Sequence, residues 1–141
     1  MPVFPSKEWC EEAVRLANAD PDAERAGAGW TGDIGLVIGW EPGKLTSDFA
    51  VHVEPRGGHI ERFTLLRDAD ELEEIEPAYL VRAQYSVWKE LIRGRLDPVE
   101  ALVRRRLEVV GDVQPLIERM QYRGIADRIL AALDTIFVDE Q

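Results

Sequence analysis

The residues of this chain that could take part in catalysis are few. The single cysteine, Cys10, and the two histidines, His52 and His59, could in principle form a thiol–imidazole pair, in which the ring removes the thiol proton. Cys10 lies among apolar residues of a predicted helix, which is typical of a buried, unreactive thiol. His52 alternates out of an apolar strand face and His59 borders a turn, so both rings are expected on the surface. We therefore predict no catalytic residue.

Metal and cofactor sites are also not predicted. The chain has no Cys-x-x-Cys and no His-Glu-x-x-His motif. Glu71, Glu73, Glu74 and Glu76 could surround a hard cation, but they lack the interleaved glycine turn of a calcium loop. This acidic stretch is expected to be a solvated loop or one helical turn, and the protein is not expected to be an enzyme.

Composition and charge narrow the classes of partner. The 141 residues are 45% hydrophobic and carry a net charge of −10, with a pI near 4.7. Such a balance disfavours nucleic acid and anionic membrane surfaces, which need clustered basic residues. One cysteine allows no internal disulfide, no apolar run could span a bilayer, and MPVFPSKEW lacks the pattern of a signal peptide. The expected location is the cytoplasm.

The elements that would position any site begin with a helix. Ser6 is a good N-cap for a helix over about 6–18, and Asp20-Pro21 could start a short turn that ends at Gly27. Alternation then predicts strands at Ile34–Trp40, Phe49–Val53 and, after the Arg56-Gly57-Gly58 turn, from His59. Two further strands are expected at 78–84 and 107–111.

Helices dominate the second half. An apolar stripe around Trp88 ends at Gly94, and Asp97-Pro98 begins another helix. Asp112 caps the last apolar stripe, which runs from Val113 to Phe137 as one helix or as two that meet near Gly124. Strands followed by helices predict an α+β fold, with helices packed on one side of a largely antiparallel sheet.

The apolar residues allow two interpretations. They can fill an ordinary core, or they can leave an apolar cavity between the sheet and the short helices. Periodicity alone does not distinguish these two arrangements.

One stretch resembles a known family. Trp88-x-x-Leu91-x-x-Gly94-x-Leu96-Asp97-Pro98-x-x-Ala101, followed by Leu107-x-Val109-x-Gly111-Asp112, is similar to the sterol carrier protein 2 family of lipid-transfer domains. The order of elements fits that family over most of the chain, whereas the specific residues fall within about 84–120. The resemblance implies a single domain over 1–141 with an N-terminal helical extension, about 1–30.

The resemblance also implies a function. It predicts a five-stranded sheet and helices around a hydrophobic tunnel that holds a fatty acyl chain, an acyl-CoA, a sterol or another lipid, without catalysis and without a cofactor. By position, the residues that would line or border the tunnel are Ile34, Leu36, Ile38, Trp88, Leu91, Ile92, Leu102, Val103, Leu116, Ile117 and Met120.

The sequence departs from the family pattern at three places. Arg105 and Arg106 replace the glycine that usually precedes the last strand, Ala78, Tyr79 and Arg82 stand where the strand before Trp88 often carries an aspartate, and the N-terminal segment could cap the tunnel or serve a homodimer. An accessory protein-interaction module with a filled core therefore stays open as the alternative. The basic triplet Arg104–Arg106 is expected to be a solvated helix end, although one of its arginines could meet an acidic head group at a tunnel mouth.

Overall fold

The structure, a computed structural model, describes residues 1–120 and 122–141. Helices and strands follow the chain in this order: β1 Val3–Phe4, α1 Lys7–Ala19, α2 Pro21–Gly27, β2 Ile34–Gly39, β3 Phe49–Arg56, β4 His59–Leu65, α3 Glu71–Ile75, β5 Tyr79–Gln84, α4 Tyr85–Ile92, α5 Pro98–Val103, β6 Glu108–Val110, α6 Val113–Met120, α7 Arg123–Leu133, β7 Ile136–Phe137 and a final 3-10 turn Val138–Glu140.

Five of the strands form one sheet in the order β4-β3-β2-β5-β6. All neighbours in it are antiparallel except β2 and β5, which run parallel. A parallel pair needs a long crossover connection, and here the β3–β4 hairpin and α3 provide it. The predicted α+β class and five-stranded, largely antiparallel sheet are confirmed.

The two faces of the sheet are covered differently. Leu36 is the register partner of Val51 on β3 and of Val81 on β5. These three side chains therefore share one face of the sheet, on which most of the helices pack. Val37 is level with Ala50 on the other face, where buried Leu72 of α3 covers them. A side chain at Gly35 would overlap Leu72, with only 2.7 Å between them. The nearly bare face of β2 thus accommodates α3.

Helix caps form where the sequence predicts them. Ser6 accepts a hydrogen bond from the Trp9 N–H, and Asp20 accepts from the first turn of α2. Asp97 caps α5 through the Val99 N–H at 2.9 Å, and Asp112 accepts from the Gln114 N–H. Each cap satisfies a backbone donor that the helix itself leaves free.

The chain ends pair with each other, which the sequence did not reveal. Val3 and Phe4 form a parallel two-stranded sheet with Ile136 and Phe137. The prediction that the last helical stripe continues through Phe137 is therefore wrong: α7 ends at Leu133, and Asp134 adopts a left-handed conformation at φ 52°. Phe4 and Phe137 are buried against Tyr85, and burying these rings stabilises the strand pairing.

The final 3-10 turn is held to α4 by charge. Asp139 accepts hydrogen bonds from the Tyr85 hydroxyl at 2.6 Å and from the Lys89 ammonium at 3.0 Å, and Glu140 contacts Arg93 at 2.7 Å. Burial opposes ionisation of Asp139, but the bonds from Tyr85 and Lys89 outweigh it and lower its pKa. These contacts fix the C-terminus on the face of the sheet that carries α4.

Candidate functional site: an apolar cavity beside the core

An apolar cavity of about 360 Å³ lies between three walls. The first wall is the end of α1 and the whole of α2, the second is the β3–β4 hairpin with the start of β2, and the third is α6 with α7. The cavity is lined by Ala17, Asn18, Ala23, Ala26, Gly27, Trp30, Ile34, Pro55, Gly58, His59, Ile60, Leu116, Arg119, Tyr122, Ile125, Ala126 and Ile129.

Small residues create the space. The helical residues of the first wall are Ala17, Ala23, Ala26 and Gly27, apart from Asn18. Alanine favours a helix but has a side chain of one carbon, so these helices approach the sheet without filling the gap beneath them. The opposite wall supplies the larger apolar surface, from Leu116 on α6 and from Ile125 and Ile129 on α7.

Two close contacts hold the first wall in place. The Asn18 amide donates to the Ile60 carbonyl at 3.0 Å and accepts from the Ile60 N–H at 2.8 Å, so it pairs with the strand as a backbone would. A side chain at Gly58 would come within 2.3 Å of the Glu24 carbonyl oxygen. The hairpin therefore touches the backbone of α2 directly, which only glycine permits.

The third wall is fastened to the first by an ion pair. Arg128 of α7 contacts the Asp20 carboxylate at 2.6 Å. The bond to Arg128 lowers the pKa of Asp20, partly against burial, and the backbone bonds of the α2 cap lower it further. Asp20 thus joins α7 to the junction of α1 and α2.

Trp30 lines the cavity beside β5. Its indole N–H donates to the Gly32 carbonyl at 3.0 Å, and its ring packs against Tyr79 at 4.9 Å between centroids. The Arg119 guanidinium lies over the Trp30 ring, 5.6 Å from its centre. Neither residue is among those that the sequence predicted to line the tunnel, although the N-terminal segment that contains Trp30 was expected to cap the tunnel or to serve a homodimer.

The residues implied by the resemblance fall into three groups. Ile34 and Leu116 line the cavity. Leu36, Ile38, Trp88, Leu91 and Ile92 pack against the closed clusters under α4. Leu102 and Met120 are half-buried outside the cavity lining, whereas Val103 is 75% exposed and Ile117 is 36% exposed.

The arginine triplet lies away from this cavity. Arg105 and Arg106 line a separate, more polar cleft of about 380 Å³, together with Arg82 and Trp40. Val37 also lines this cleft. Because Val37 lies on the face of the sheet that α3 covers, the cleft is on that face too. All three arginines of the triplet are exposed, as expected for a solvated helix end, and Arg104 pairs with Glu100 at 3.1 Å.

The residues with catalytic potential do not assemble. Burial, helped by the charge of Glu11, raises the pKa of the Cys10 thiol to about 11, so the nucleophilic thiolate is disfavoured. The prediction that His52 is solvated is wrong, because its side chain is 13% exposed and bonds Asp33 at 2.7 Å. The Asp33 carboxylate also accepts from the Ala78 N–H, so the pair ties β3 and β5 to the start of β2.

Metal sites, membrane-spanning helices and a dinucleotide-binding motif can also be assessed. Within residues 1–120 and 122–141, no group of three or more histidine, cysteine or acidic side chains could hold a metal ion. In the same part of the chain, no helix is long and apolar enough to cross a membrane. Gly27, Gly29 and Gly32 have the Gly-x-Gly-x-x-Gly spacing, but they follow a helix and lead into a strand, whereas a dinucleotide site has the opposite order.

Comparison with solved structures defines the class of fold. The chain superimposes on a crystal structure of sterol carrier protein 2 with a TM-score of 0.70 and 23% identity, covering 91% of this chain and 95% of that one. A conserved hypothetical protein and suggested sterol carrier protein from Thermus thermophilus gives 0.73 and 20%, covering 93% and 90%. The fold is therefore that of sterol carrier protein 2.

A third neighbour is named for a metabolic role. UbiJ-SCP2, a ubiquinone synthesis protein, matches with a TM-score of 0.53 and 16% identity, covering 89% of this chain and 95% of its own. No protein-family model matches this chain, and no curated protein matches it significantly.

Proposed function

We propose that this protein binds and carries a hydrophobic ligand, without catalysis, in the cavity between α1–α2, the β3–β4 hairpin and α6–α7. The observation that carries the proposal is the cavity itself, about 360 Å³ in volume and lined almost entirely by apolar side chains. Ligand pockets in proteins typically measure roughly 300–1,000 Å³. An apolar chain that leaves water for such a site gains about 0.8 kcal/mol for each buried methylene.

The size of the cavity favours a single chain of moderate length. If a methylene takes about the volume of a water molecule, roughly 30 Å³, a cavity of about 360 Å³ accommodates on the order of twelve carbons. A lipid with one acyl chain fits that space. The name of one fold neighbour, sterol carrier protein 2, supports a hydrophobic ligand in general.

In this proposal the N-terminal segment 1–30 is part of the binding site. Its helices contribute one of the three walls, so a single domain would use its N-terminal extension to cover the ligand. Ile34 and Leu116 would contact the ligand, and the implied residues under α4 would form the packed layer beside it. A ligand-bound structure tests this division.

Absence of catalysis is part of the same proposal. It is supported by the raised pKa of the Cys10 thiol and by the bond between His52 and Asp33. In addition, neither Cys10 nor His52 lines the cavity, so His59, which does line it, has neither of the other two candidates beside it there.

Trp30 offers a direct test of binding. A brominated fatty acid quenches tryptophan fluorescence at contact distance, so titration with bromododecanoic acid should reduce the emission of Trp30 in a saturable manner. The Trp30→Phe variant should lose that component, whereas Trp40→Phe, which removes an indole that is 56% exposed, should retain it. An unquenched wild type at saturating ligand would reject the proposal.

A second function is favoured by exposed apolar side chains. Val103, Val110, Val113 and Ile117 are large, exposed apolar residues on the consecutive elements α5, β6 and α6, and exposed apolar side chains can mark an interface. The chain would then act as a homodimer or accessory module. Sedimentation velocity of the wild type and of Val103→Glu decides: a dimer that dissociates in the variant supports this function, and a monomeric wild type at high concentration removes the homodimer.

A further inference from the structure

One basic side chain lies in the wall of the apolar cavity. Arg119 of α6 lines it, and the Nε atom of Arg119 is buried. Within residues 1–120 and 122–141 this nitrogen has no hydrogen-bond acceptor. By contrast, two arginines of α7 contact carboxylates, Arg123 with Asp97 and Arg128 with Asp20, each at 2.6 Å.

The position of Arg119 is set by an aromatic ring. Its guanidinium carbon lies 5.6 Å from the centre of the Trp30 ring, a cation–π distance. Trp30 is in turn fixed by its bond to the Gly32 carbonyl and by its contact with Tyr79. The guanidinium is therefore held at the cavity wall by a π face, which leaves its N–H groups available to another acceptor.

Two other polar groups of the wall, the Asn18 amide and the Trp30 N–H, are engaged within the protein. Both ends of the Asn18 amide bond the backbone of Ile60. The His59 ring lies 3.7 Å from the Glu24 carboxylate, and the Trp30 N–H is used on Gly32. A buried donor without an acceptor is costly, so a ligand that brings an anionic acceptor to Arg119 would relieve that cost.

We propose that Arg119 binds the acidic head group of the ligand, so that the protein selects an ionised single-chain amphiphile over a neutral lipid of the same length. The forked donors of a guanidinium match the two oxygens of a carboxylate, and they also match a phosphate. The shared chemistry is thus an anionic head on an apolar chain. This inference rests on the proposed function, because it requires the chain to occupy the cavity.

Three ligands of equal chain length test the inference by calorimetry on the full chain at neutral pH: dodecanoic acid, dodecyl phosphate and dodecanol. We expect the wild type to bind one or both anions at least about tenfold more tightly than dodecanol, as a charge-assisted hydrogen bond provides. The anion that binds more tightly identifies the head group, carboxylate or phosphate.

Arg119→Met removes the charge and keeps an apolar side chain of similar length. It should lose about tenfold in affinity for the preferred anion and leave the affinity for dodecanol unchanged. Arg105→Met, which makes the same change of net charge outside the cavity, should bind all three ligands as the wild type does. Arg119→Gln serves as a second neutral variant, with the same expected result, if the methionine variant unfolds.

The outcomes distinguish a failure of this inference from a failure of the proposed function. Equal binding of the anions and dodecanol by the wild type overturns the role of Arg119 but retains the cavity as a lipid site. A preference for the anions that persists in both Arg119 variants likewise overturns the role of Arg119 and retains the cavity as a lipid site. Failure of the wild type to bind any of the three ligands overturns the proposed function and the inference together.

Discussion

Replacing Gly58 with alanine should damage both stability and ligand binding. Gly58 lies at φ 84°, and an added Cβ would come within 2.3 Å of the Glu24 carbonyl oxygen. An ordinary Cβ contact begins at about 3.4 Å, so α2 would have to move by roughly 1 Å to make room. The neighbouring Gly57 also has a positive φ, 61°, but nothing lies within 4 Å of its Cβ position. It is therefore a matched control on the same turn.

The expected magnitudes follow from this difference. A positive φ costs an alanine about 1–2 kcal/mol, and this cost applies to both variants. Overlap with packed backbone adds about 1–3 kcal/mol, and this cost applies to Gly58→Ala alone. The free energy of unfolding should fall by about 1–2 kcal/mol in Gly57→Ala and by about 2–5 kcal/mol in Gly58→Ala.

Urea unfolding at equilibrium measures both changes. Calorimetry with dodecanoic acid measures the effect on the site, because the displaced α2 carries Ala23, Ala26 and Gly27 of the cavity wall. We expect Gly58→Ala to bind roughly tenfold more weakly and Gly57→Ala to bind normally. Equal stability and equal affinity of the two variants would refute the close approach of hairpin and helix.

Two further predictions concern the scaffold. The pKa of Asp139 is lowered in the folded protein, so the unfolded state binds more protons as the pH falls, and the free energy of unfolding decreases below the ordinary aspartate pKa of about 3.9. In urea unfolding between neutral and acidic pH, Asp139→Asn should lose about 2–3 kcal/mol at neutral pH and its stability should depend less on pH, whereas Asp134→Asn, at an exposed site, should keep the wild-type pH dependence. Parallel stability curves for Asp139→Asn and the wild type would contradict the role of the Tyr85–Lys89–Asp139 contacts. Gly111→Ala should lower the free energy of unfolding by about 3 kcal/mol, because Gly111 has φ 123° and an added Cβ would lie 2.6 Å from the Ala78 carbonyl oxygen. The control Gly43→Ala, with φ 76° and open space around its Cβ position, should lower it by only about 1 kcal/mol. Equal melting temperatures of the two variants in thermal unfolding would contradict this difference.

Much of the fold is predictable from local signals. Asp20-Pro21, Asp97-Pro98 and Gly111-Asp112 determine helix starts through short-range hydrogen bonds, which the sequence displays directly. The Arg56-Gly57-Gly58 turn likewise fixes the β3–β4 hairpin. The pairing of Phe4 with Phe137 was missed, since β1 and β7 are two residues each and too short to show a period.

The site was less predictable than the fold. The residues around Trp88, Leu91 and Ile92 form the recognisable signature, yet they pack in closed clusters. Open space arises instead where the helical residues that line the wall are small, as Ala23 and Ala26 are, and no single-sequence period distinguishes an alanine over a gap from an alanine in a tight contact. The available signal was the frequency of small residues over 17–29, where five alanines and two glycines occur among thirteen residues.

Arg119 illustrates a second reason why the site was hard to predict from the sequence. In the sequence it is one charge on an amphipathic helix, with nothing to distinguish it from Arg123 or Arg128. Only the assembled structure places Trp30 beside Arg119, and the two residues are far apart in the chain. The basic triplet Arg104–Arg106, which is conspicuous in the sequence, lies on another cleft.

The most direct test of the central claim is a crystal structure of the protein with bromododecanoic acid, in which anomalous scattering locates the bromine. The account predicts one bromine peak inside the cavity, between Ala23 of α2 and Ile129 of α7, with the acid group toward Arg119. A bromine peak between Trp88 and Leu91, or an empty cavity at saturating ligand, would contradict it.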